Sequence, residues 1–139
     1  MTMTEITTNE ALNEFLNQAD SFHDAIIREC GLVARGYVDE ERWLHGDTEP
    51  FNARVFLQTQ FDDVPGIEIE FDGVTRFCVD RPFGLRPSGF VEEGRVNFSF
   101  TALGAKESQI AATAMRYRFL DKTCLGEKRL IAGDNPSSG

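Results

Sequence analysis

The sequence contains little cysteine and little histidine, and it has no long apolar run. Its three cysteines, Cys30, Cys78 and Cys124, are odd in number and far apart, without a C-x-x-C spacing. Neither a disulfide framework nor a zinc site is therefore indicated, and buried reduced thiols are expected. No run approaches the roughly 18 apolar residues of a membrane-spanning helix. The first ten residues lack the basic and apolar regions of a signal peptide, so we expect a cytoplasmic protein without a membrane partner.

Several catalytic and cofactor motifs are also missing. There is no H-E-x-x-H zinc motif, no G-x-S-x-G nucleophile elbow, no Walker loop and no G-x-G-x-x-G element. None of the cysteines carries the sequence signature of a catalytic thiol. The sequence therefore predicts no catalytic residues, no metal and no cofactor.

Basic residues are few. The chain has 14 Lys and Arg against 23 Asp and Glu, for a formal net charge of −9. This balance disfavours contacts with a phosphate backbone, so nucleic acid is not an expected partner. The charge is also uneven, because residues 1–70 carry 15 acidic and 4 basic side chains, whereas residues 71–139 carry 8 and 10. Such asymmetry bears on the steering of charged partners rather than on the fold.

What is present is the composition of a folded domain. The 139 residues are 41% hydrophobic, which suits one domain with a sizeable core. We expect a single domain over residues 1–125 and a polar, flexible tail over 126–139. Apolar residues spaced by three and four, after the capping-box pair Thr7 and Glu10, predict an amphipathic helix from about Thr8 to Asp20.

Beyond the helix, the apolar residues alternate with a period of two. The pattern predicts a bent or bulged strand within Ala25–Val38, a strand from Ala53 to about Gln60, and further strands over 96–101 and Ile110–Phe119. The residues between Asp39 and Pro50 are expected to form a polar connection anchored by Trp43 and Leu44. Residues 80–94, rich in proline and glycine, predict a long loop with a short strand near Phe90.

The segment Ile67–Val79 has the cleanest alternation. Ile67, Ile69 and Phe71 alternate with Glu68, Glu70 and Asp72, and the acidic side is expected to be the solvent face. The following Asp72-Gly73 pair predicts a two-residue hairpin turn, since Gly tolerates the positive φ of a type I′ turn. One helix and about six strands give an α+β fold, with the N-terminal helix packed on a mainly antiparallel meander sheet.

Two constellations could carry chemistry. His23 and Asp24, together with His45 and its neighbour Asp47, are ligand types that suit divalent ions, although their spacing is not diagnostic. The alternative is that His23 and Asp24 bond backbone groups where the helix ends. The loop Arg81–Pro87 combines Arg81 and Arg86 with Phe83, a composition enriched at protein interfaces, and it could also form an anion pocket or an ordinary crossover.

The stretch Ser21-Phe22-His23-Asp24-Ala25 and the later Ile67–Val74 together resemble a loose group of small bacterial proteins. These are uncharacterised families and predicted toxin-immunity proteins that carry a Phe-His-Asp signature and an acidic strand ending in Gly-Val. The resemblance implies a non-enzymatic α+β protein. It also implies that Phe22, His23 and Asp24 are a structural or partner-facing signature rather than a catalytic one.

The first functional hypothesis is a protein-binding module, of the immunity-inhibitor type, that presents acidic residues to a basic partner. The candidate contacts are Asp39, Glu40, Glu41, Asp62, Asp63, Glu68, Glu70, Arg81, Phe83 and Arg86. The alternative is a small-ligand or metal-binding domain, or a minor enzyme, that uses His23, Asp24 and His45 with the Arg81–Arg86 loop. A homo-oligomer formed through an exposed strand edge is a third possibility.

Overall fold

The computed structural model describes residues 2–79, 81–100, 109–127 and 129–131. It is an α+β structure with one α-helix, α1 (Asn9–Gln18), and mostly antiparallel strands. The strands are β1 (Thr4–Glu5), β2 (Ile26–Ala34), β3 (Tyr37–Val38), β4 (Leu44–His45), β5 (Phe51–Gln58), β6 (Gly66–Val74), β7 (Arg76–Phe77), β8 (Ser88–Glu92), β9 (Arg95–Ser99), β10 (Gln109–Ala112) and β11 (Ala114–Leu120).

The strands form three sheets rather than one six-stranded meander. A five-stranded sheet has the order β1-β11-β6-β5-β2, a four-stranded sheet the order β7-β10-β9-β8, and β3 pairs with β4 alone. The α+β class is confirmed, but the expected strand count is too low for the described part of the chain. The prediction missed several strands because they are only two residues long, which is too short for a period-two pattern.

One bent ribbon joins the two larger sheets. The β6–β7 segment runs antiparallel to the β10–β11 segment. The first passes from the five-stranded to the four-stranded sheet at Thr75, and the second passes back at Thr113. At the bend the Thr75 N–H donates to Ala111 O and the Thr113 N–H donates to Asp72 O, each at 2.9 Å. The expected single strand Ile110–Phe119 is therefore two strands, because the chain kinks at Thr113.

The Asp72-Gly73 hairpin prediction is wrong. Strand β6 continues through both residues, and opposite them β5 skips from Phe51 to Ala53, which is the signature of a β-bulge. Gly73 has a φ of +62°, and its N–H donates to Asn52 Oδ1 at 3.3 Å. The positive φ that Gly supplies serves a bulge here instead of a turn, and the two uses look alike in the sequence.

The predicted helix is confirmed with shorter bounds. Its N-cap is Thr8, whose Oγ1 accepts the Ala11 N–H at 3.0 Å, rather than Thr7. Leu12 and Phe15 are buried against the core, as the spacing requires. None of the helices in the described ranges has the length and apolar character needed to cross a bilayer.

The core lies between α1, one face of the five-stranded sheet and the inner face of the four-stranded sheet. Aromatic rings fill its centre, where Phe98 and Phe100 pack edge to face at 5.1 Å and Phe15 lies 4.2 Å from Tyr117. The phenylalanines of this core are Phe15, Phe22, Phe71, Phe98 and Phe100, whereas the buried Phe56 lies outside it, under Arg54. Their predicted role as core is confirmed for this set, whereas Phe51, Phe83 and Phe90 are exposed.

The bulge yields a stability prediction. Replacing Gly73 by Ala would place a Cβ atom 2.3 Å from Thr113 Oγ1 and would force Ala into a left-handed conformation. We expect Gly73→Ala to lower the free energy of unfolding by about 3 kcal/mol, from strain and overpacking together. The matched control is Gly94→Ala, where φ is +73° and no atom lies within 4 Å of the added Cβ, so only about 1 kcal/mol should be lost. Equal urea midpoints for the two variants would contradict the bulge assignment.

Candidate functional site

The acidic side chains of β6 are paired with arginines rather than free. We refer to these residues as the charge ladder: Glu68, Glu70, Asp72, Arg54, Arg116 and Arg118. Glu68 lies between two arginines, because Arg54 Nη2 donates to Glu68 Oε2 at 2.7 Å and Arg118 Nε donates to Oε1 at 2.6 Å. Two residues further along β6, Glu70 Oε1 accepts a hydrogen bond from Arg116 at 2.9 Å, and Arg116 also donates to Asp72. Strands β5 and β11 thus supply basic side chains to both flanks of the acidic strand.

The expectation of a solvent-facing Glu68 is wrong, since its exposure is only 1%. Glu70 is half-buried and paired with arginine. We therefore leave Glu68 and Glu70 out of any contact surface for a basic partner. The arginines are Arg54 on β5 and Arg116 and Arg118 on β11. Their charges neutralise the acidic side chains of β6 within this chain.

Residues after β11 cross this same face toward β2. Gln58 Nε2 donates to Cys124 O at 3.0 Å and to Gly126 O at 2.8 Å, and Arg28 donates to Glu127 O. Glu29 accepts the N–H groups of Leu130 and Ile131. These contacts include the first residues of the segment predicted as a flexible tail, and residues 132–139 of that segment lie outside the described residues.

Glu29 is the carboxylate that binds the end of this crossing segment. Burial by itself raises the pKa of Glu29, but the two backbone N–H groups and the nearby Arg129 outweigh it and lower the pKa. The ionised form is therefore the one that the Leu130 and Ile131 amides hold. The crossing segment thus contacts Arg28, Glu29 and Gln58, while the Arg54 side chain remains 43% exposed.

A group of four exposed apolar side chains lies instead on the hairpin β3–β4. Its members are Tyr37, Val38, Trp43 and Leu44, each more than half exposed, and Trp43 reaches 70%. Trp43 and Leu44 are therefore not the buried anchors that the sequence predicts. Soluble proteins rarely group large exposed apolar residues without an interaction to serve. We refer to these four residues and the turn between them as the apolar hairpin.

Asp39 orders the tip of the apolar hairpin. Its Oδ1 accepts the backbone N–H groups of Glu41 and Trp43, both at 2.9 Å, and its Oδ2 lies 2.7 Å from His45 Nε2. The Tyr37 and His45 rings stack with centroids 4.8 Å apart. The His45 hydrogen bond, with help from the Trp43 amide, lowers the pKa of Asp39. An isolated two-stranded hairpin is marginal in water, so these contacts are what hold Trp43 in place.

The rim of the apolar hairpin is acidic. Between Tyr37 and Phe51 the chain carries five carboxylates and one arginine, Arg42. The carboxylates are Asp39, Glu40, Glu41, Asp47 and Glu49, and all but the half-buried Asp39 are exposed. Apolar side chains inside a rim of one charge sign are the arrangement found at protein interfaces.

The other predicted acidic pair lies elsewhere. Asp62 and Asp63 are exposed in the turn that joins β5 to β6, whereas the apolar hairpin precedes the first residue of β5. The eight residues of β5 separate the two groups by roughly 25 Å at a strand rise of about 3.3 Å per residue. The predicted acidic contacts are therefore divided between opposite ends of one strand.

The Phe-His-Asp signature lies beside a groove of about 1310 Å³. His23, Asp24 and Arg86 all line it, so the structure brings part of the signature and part of the arginine loop together. Phe83 also lines the groove and is exposed, and its bridge to Ile26 attaches the loop to β2. Leu85 is buried, whereas Arg81 is exposed and is not part of the lining.

A left-handed turn presents the signature. Asp20, Ser21, Phe22 and Asp24 all have positive φ, between +50° and +57°. This conformation costs a non-glycine residue about 1–2 kcal/mol. The buried Phe22 ring, which packs 5.9 Å from Phe15 and from Phe100, holds the turn in place. Phe22 is thus structural, while His23 and Asp24 are exposed.

The proposed metal ligands do not assemble. His23 lies 3.3 Å from Asp24, while His45 bonds Asp39 on the apolar hairpin. Among the described residues, no group of three or more His, Cys, Asp or Glu side chains could hold a metal ion. The thiols also differ from the expectation, because Cys124 is buried but Cys30 is exposed and Cys78 is half-buried.

The charge ladder predicts an asymmetric response to carboxylate removal. Glu68→Gln leaves an amide NH₂ group facing a guanidinium in a buried site, so we expect a loss of about 3 kcal/mol in the free energy of unfolding. Glu70→Gln, on the same strand but half-buried, should cost about 1 kcal/mol. Chemical denaturation of the two variants measures the difference. If Glu68→Gln is no worse than Glu70→Gln, the ladder does not carry this stability.

Asp39 predicts an acid-sensitive hairpin. Its pKa is lowered in the folded chain, so its contribution is present above the ordinary carboxyl pKa and is lost as pH falls through the lowered value. We expect Trp43 fluorescence anisotropy to fall over that acidic range. In Asp39→Ala it should be low at every pH, because the oxygen that accepts both amide N–H groups is gone. An unchanged anisotropy in Asp39→Ala would contradict the role of this carboxylate.

Comparisons of the chain with protein-family models, with curated proteins and with solved structures found no match.

Proposed function

We propose that this chain is a non-enzymatic protein-binding module that engages a basic partner protein through its apolar hairpin. The observation that carries the proposal is the 70% exposure of Trp43 at the end of a hairpin that has its own ordering contacts. Tryptophan is the residue type most enriched among side chains that dominate binding energy. Asp39 makes hydrogen bonds with the Glu41 amide, the Trp43 amide and the His45 ring. The hairpin that carries Trp43 is therefore ordered before a partner binds.

Prior order of this kind lowers the entropic cost of association. A flexible loop would lose conformational freedom when it binds, whereas a fixed hairpin loses little. Tyr37, Val38 and Leu44 extend the apolar area next to Trp43 on the same ribbon. The apolar hairpin thus combines a central aromatic residue with a pre-formed backbone.

The acidic rim supports a basic partner. Glu40 and Glu41 lie at the tip of the hairpin, and neither makes an ion pair among the described residues. Exposed charges of one sign speed association with an oppositely charged surface and favour that partner over acidic ones. The same charges are screened by salt, so the association rate should fall as ionic strength rises.

This surface also suits the immunity-type inhibitor that the sequence resemblance implies. An inhibitor of a basic enzyme needs a rigid acidic surface that covers the partner, and it needs no catalytic group of its own. The Phe-His-Asp signature would then act through Phe22, which fixes the turn that ends at Asp24. The proposal assigns partner contact to the apolar hairpin and leaves Asp62 and Asp63 outside it.

The proposal predicts that charge reversal at one acidic pair, and not at the other, weakens binding. Purified wild type, Glu40→Lys with Glu41→Lys, and Asp62→Lys with Asp63→Lys would each be immobilised and exposed to lysate of the source cells. We expect a basic protein to bind wild type at low salt, to bind the Asp62 and Asp63 variant similarly, and to bind the Glu40 and Glu41 variant at least tenfold more weakly. Both variants change the net charge equally, so general electrostatics cannot produce the difference.

Trp43 provides the second measurement. With the captured protein in hand, the emission of this single tryptophan should shift to shorter wavelength on binding, because the partner removes it from water. Trp43→Ala should weaken binding by tenfold or more, the usual loss for a central aromatic residue. A partner that binds Trp43→Ala as tightly as wild type, or that binds equally at low and high salt, would overturn the proposal.

A further inference from the structure

The two larger sheets of the described chain protect three of their four edges from pairing with another chain. Edge strands β1 and β7 are two residues long. On β8, the Asn9 side chain occupies the outer backbone groups of Val91, accepting its N–H at 2.8 Å and donating to its carbonyl at 3.1 Å. Short edges and covered edges are two of the ways in which proteins prevent unwanted sheet growth.

Edge strand β2 is different, because it is nine residues long. At its start, the Ile27 N–H donates to Pro82 O and Ile26 bridges to Phe83. Beyond this point no strand in the described ranges pairs with its outer side. The open edge therefore runs from the bulge at Arg28 to Ala34.

The pairing of β5 shows which backbone groups of β2 face outward. Thr59, just after β5, donates its N–H to Pro65 O, so odd-numbered residues of this segment bond toward β6 and even-numbered residues bond toward β2. Glu29, Gly31 and Val33 are opposite even-numbered residues of β5 and bond it. The N–H and C=O groups of Cys30, Leu32 and Ala34 must then point away from the sheet.

Beyond the bulge at Arg28 and the charged Glu29, the side chains of this edge carry none of the usual protection. Residues 30–34 include no charged residue and no proline. Leu32 is 49% exposed and Val33 is 66% exposed, one on each face of the strand. A long, apolar edge that no described strand covers is the standard template for strand addition.

We infer that the outer edge of β2 pairs with the same edge of a second copy of this chain, antiparallel, about a two-fold axis at Leu32. The outward groups of Cys30, Leu32 and Ala34 are symmetric about Leu32. In this register each N–H meets a carbonyl of the second copy, Cys30 lying opposite Ala34. The interface is the same patch on both copies and closes after two, and the two five-stranded sheets become one ten-stranded sheet.

Charge also suits a second copy at this edge. The uncharged residues 30–34 keep the net charge of −9 away from the axis. This inference depends on Cys30–Ala34 and not on the apolar hairpin, so it does not depend on the proposed function.

The experiment is sedimentation equilibrium of the full chain from low micromolar to several hundred micromolar. We expect a monomer–dimer equilibrium that salt strengthens, because screening reduces repulsion between two copies of charge −9. This salt response is opposite in sign to the one expected for the basic partner. Leu32→Lys, which places two like charges at the axis, should weaken the dimer at least tenfold. Val38→Lys makes the same type of change on the apolar hairpin and should leave dimerisation unchanged.

Amide hydrogen exchange of the wild type tests the register without any variant. The outward amides of Cys30, Leu32 and Ala34 should exchange slowly in concentrated protein and quickly in dilute protein. A monomer at every concentration would overturn the inference, as would a dimer in which these three amides remain fast. Protection that does not depend on concentration would also overturn it, because the chain would then cover its own edge. Loss of partner binding in Val38→Lys with an intact dimer would separate the two proposals.

Discussion

The fold depends on the contact between Glu68 and its two arginines. This carboxylate lies at the centre of the five-stranded sheet and joins β5 to β11 across β6. A slip of one residue in either register would turn Glu68 toward the aromatic core and would expose Ile67 and Ile69. The ion pairs therefore specify which face of β6 meets the aromatic core, and α1 and the four-stranded sheet can pack only on the face that remains apolar.

Much of this sheet can be read from the sequence. The alternation around Val55 and Ile69 predicts two strands, and the spacing of Leu12 and Phe15 predicts the helix, although its cap is Thr8 rather than the expected Thr7. The sequence also contains a signal for the charge ladder, because Arg116 and Arg118 alternate with apolar residues as Glu68 and Glu70 do. An acidic alternating strand and a basic alternating strand in one small domain are natural neighbours. Considering β6 by itself leads instead to the expectation of a solvent face.

Other parts of the structure could not be read in this way. Gly73 requires a positive φ in a turn and in a bulge alike, and only its pairing with the segment after Phe51 decides between them. The apolar hairpin is harder still, since Trp43 and Leu44 within an acidic stretch would look the same whether buried or exposed. Their exposure follows from the position of β3 and β4 outside both larger sheets, which is a tertiary property. The convergence of His23 with Arg86 across the groove is tertiary for the same reason.

The segment that crosses from β11 to β2 also links the beginning of the chain to its end. Glu29 binds the amide of Ile131, 102 positions later, and Thr4 pairs with Tyr117. During synthesis the ribosome releases residues at the N-terminus first, so β1 and β2 emerge long before the segments that complete their sheet. The five-stranded sheet must therefore close after most of the chain has left the ribosome. Contacts of such long sequence separation make folding slow, and the apolar edge of β2 is accessible to chaperones throughout that interval.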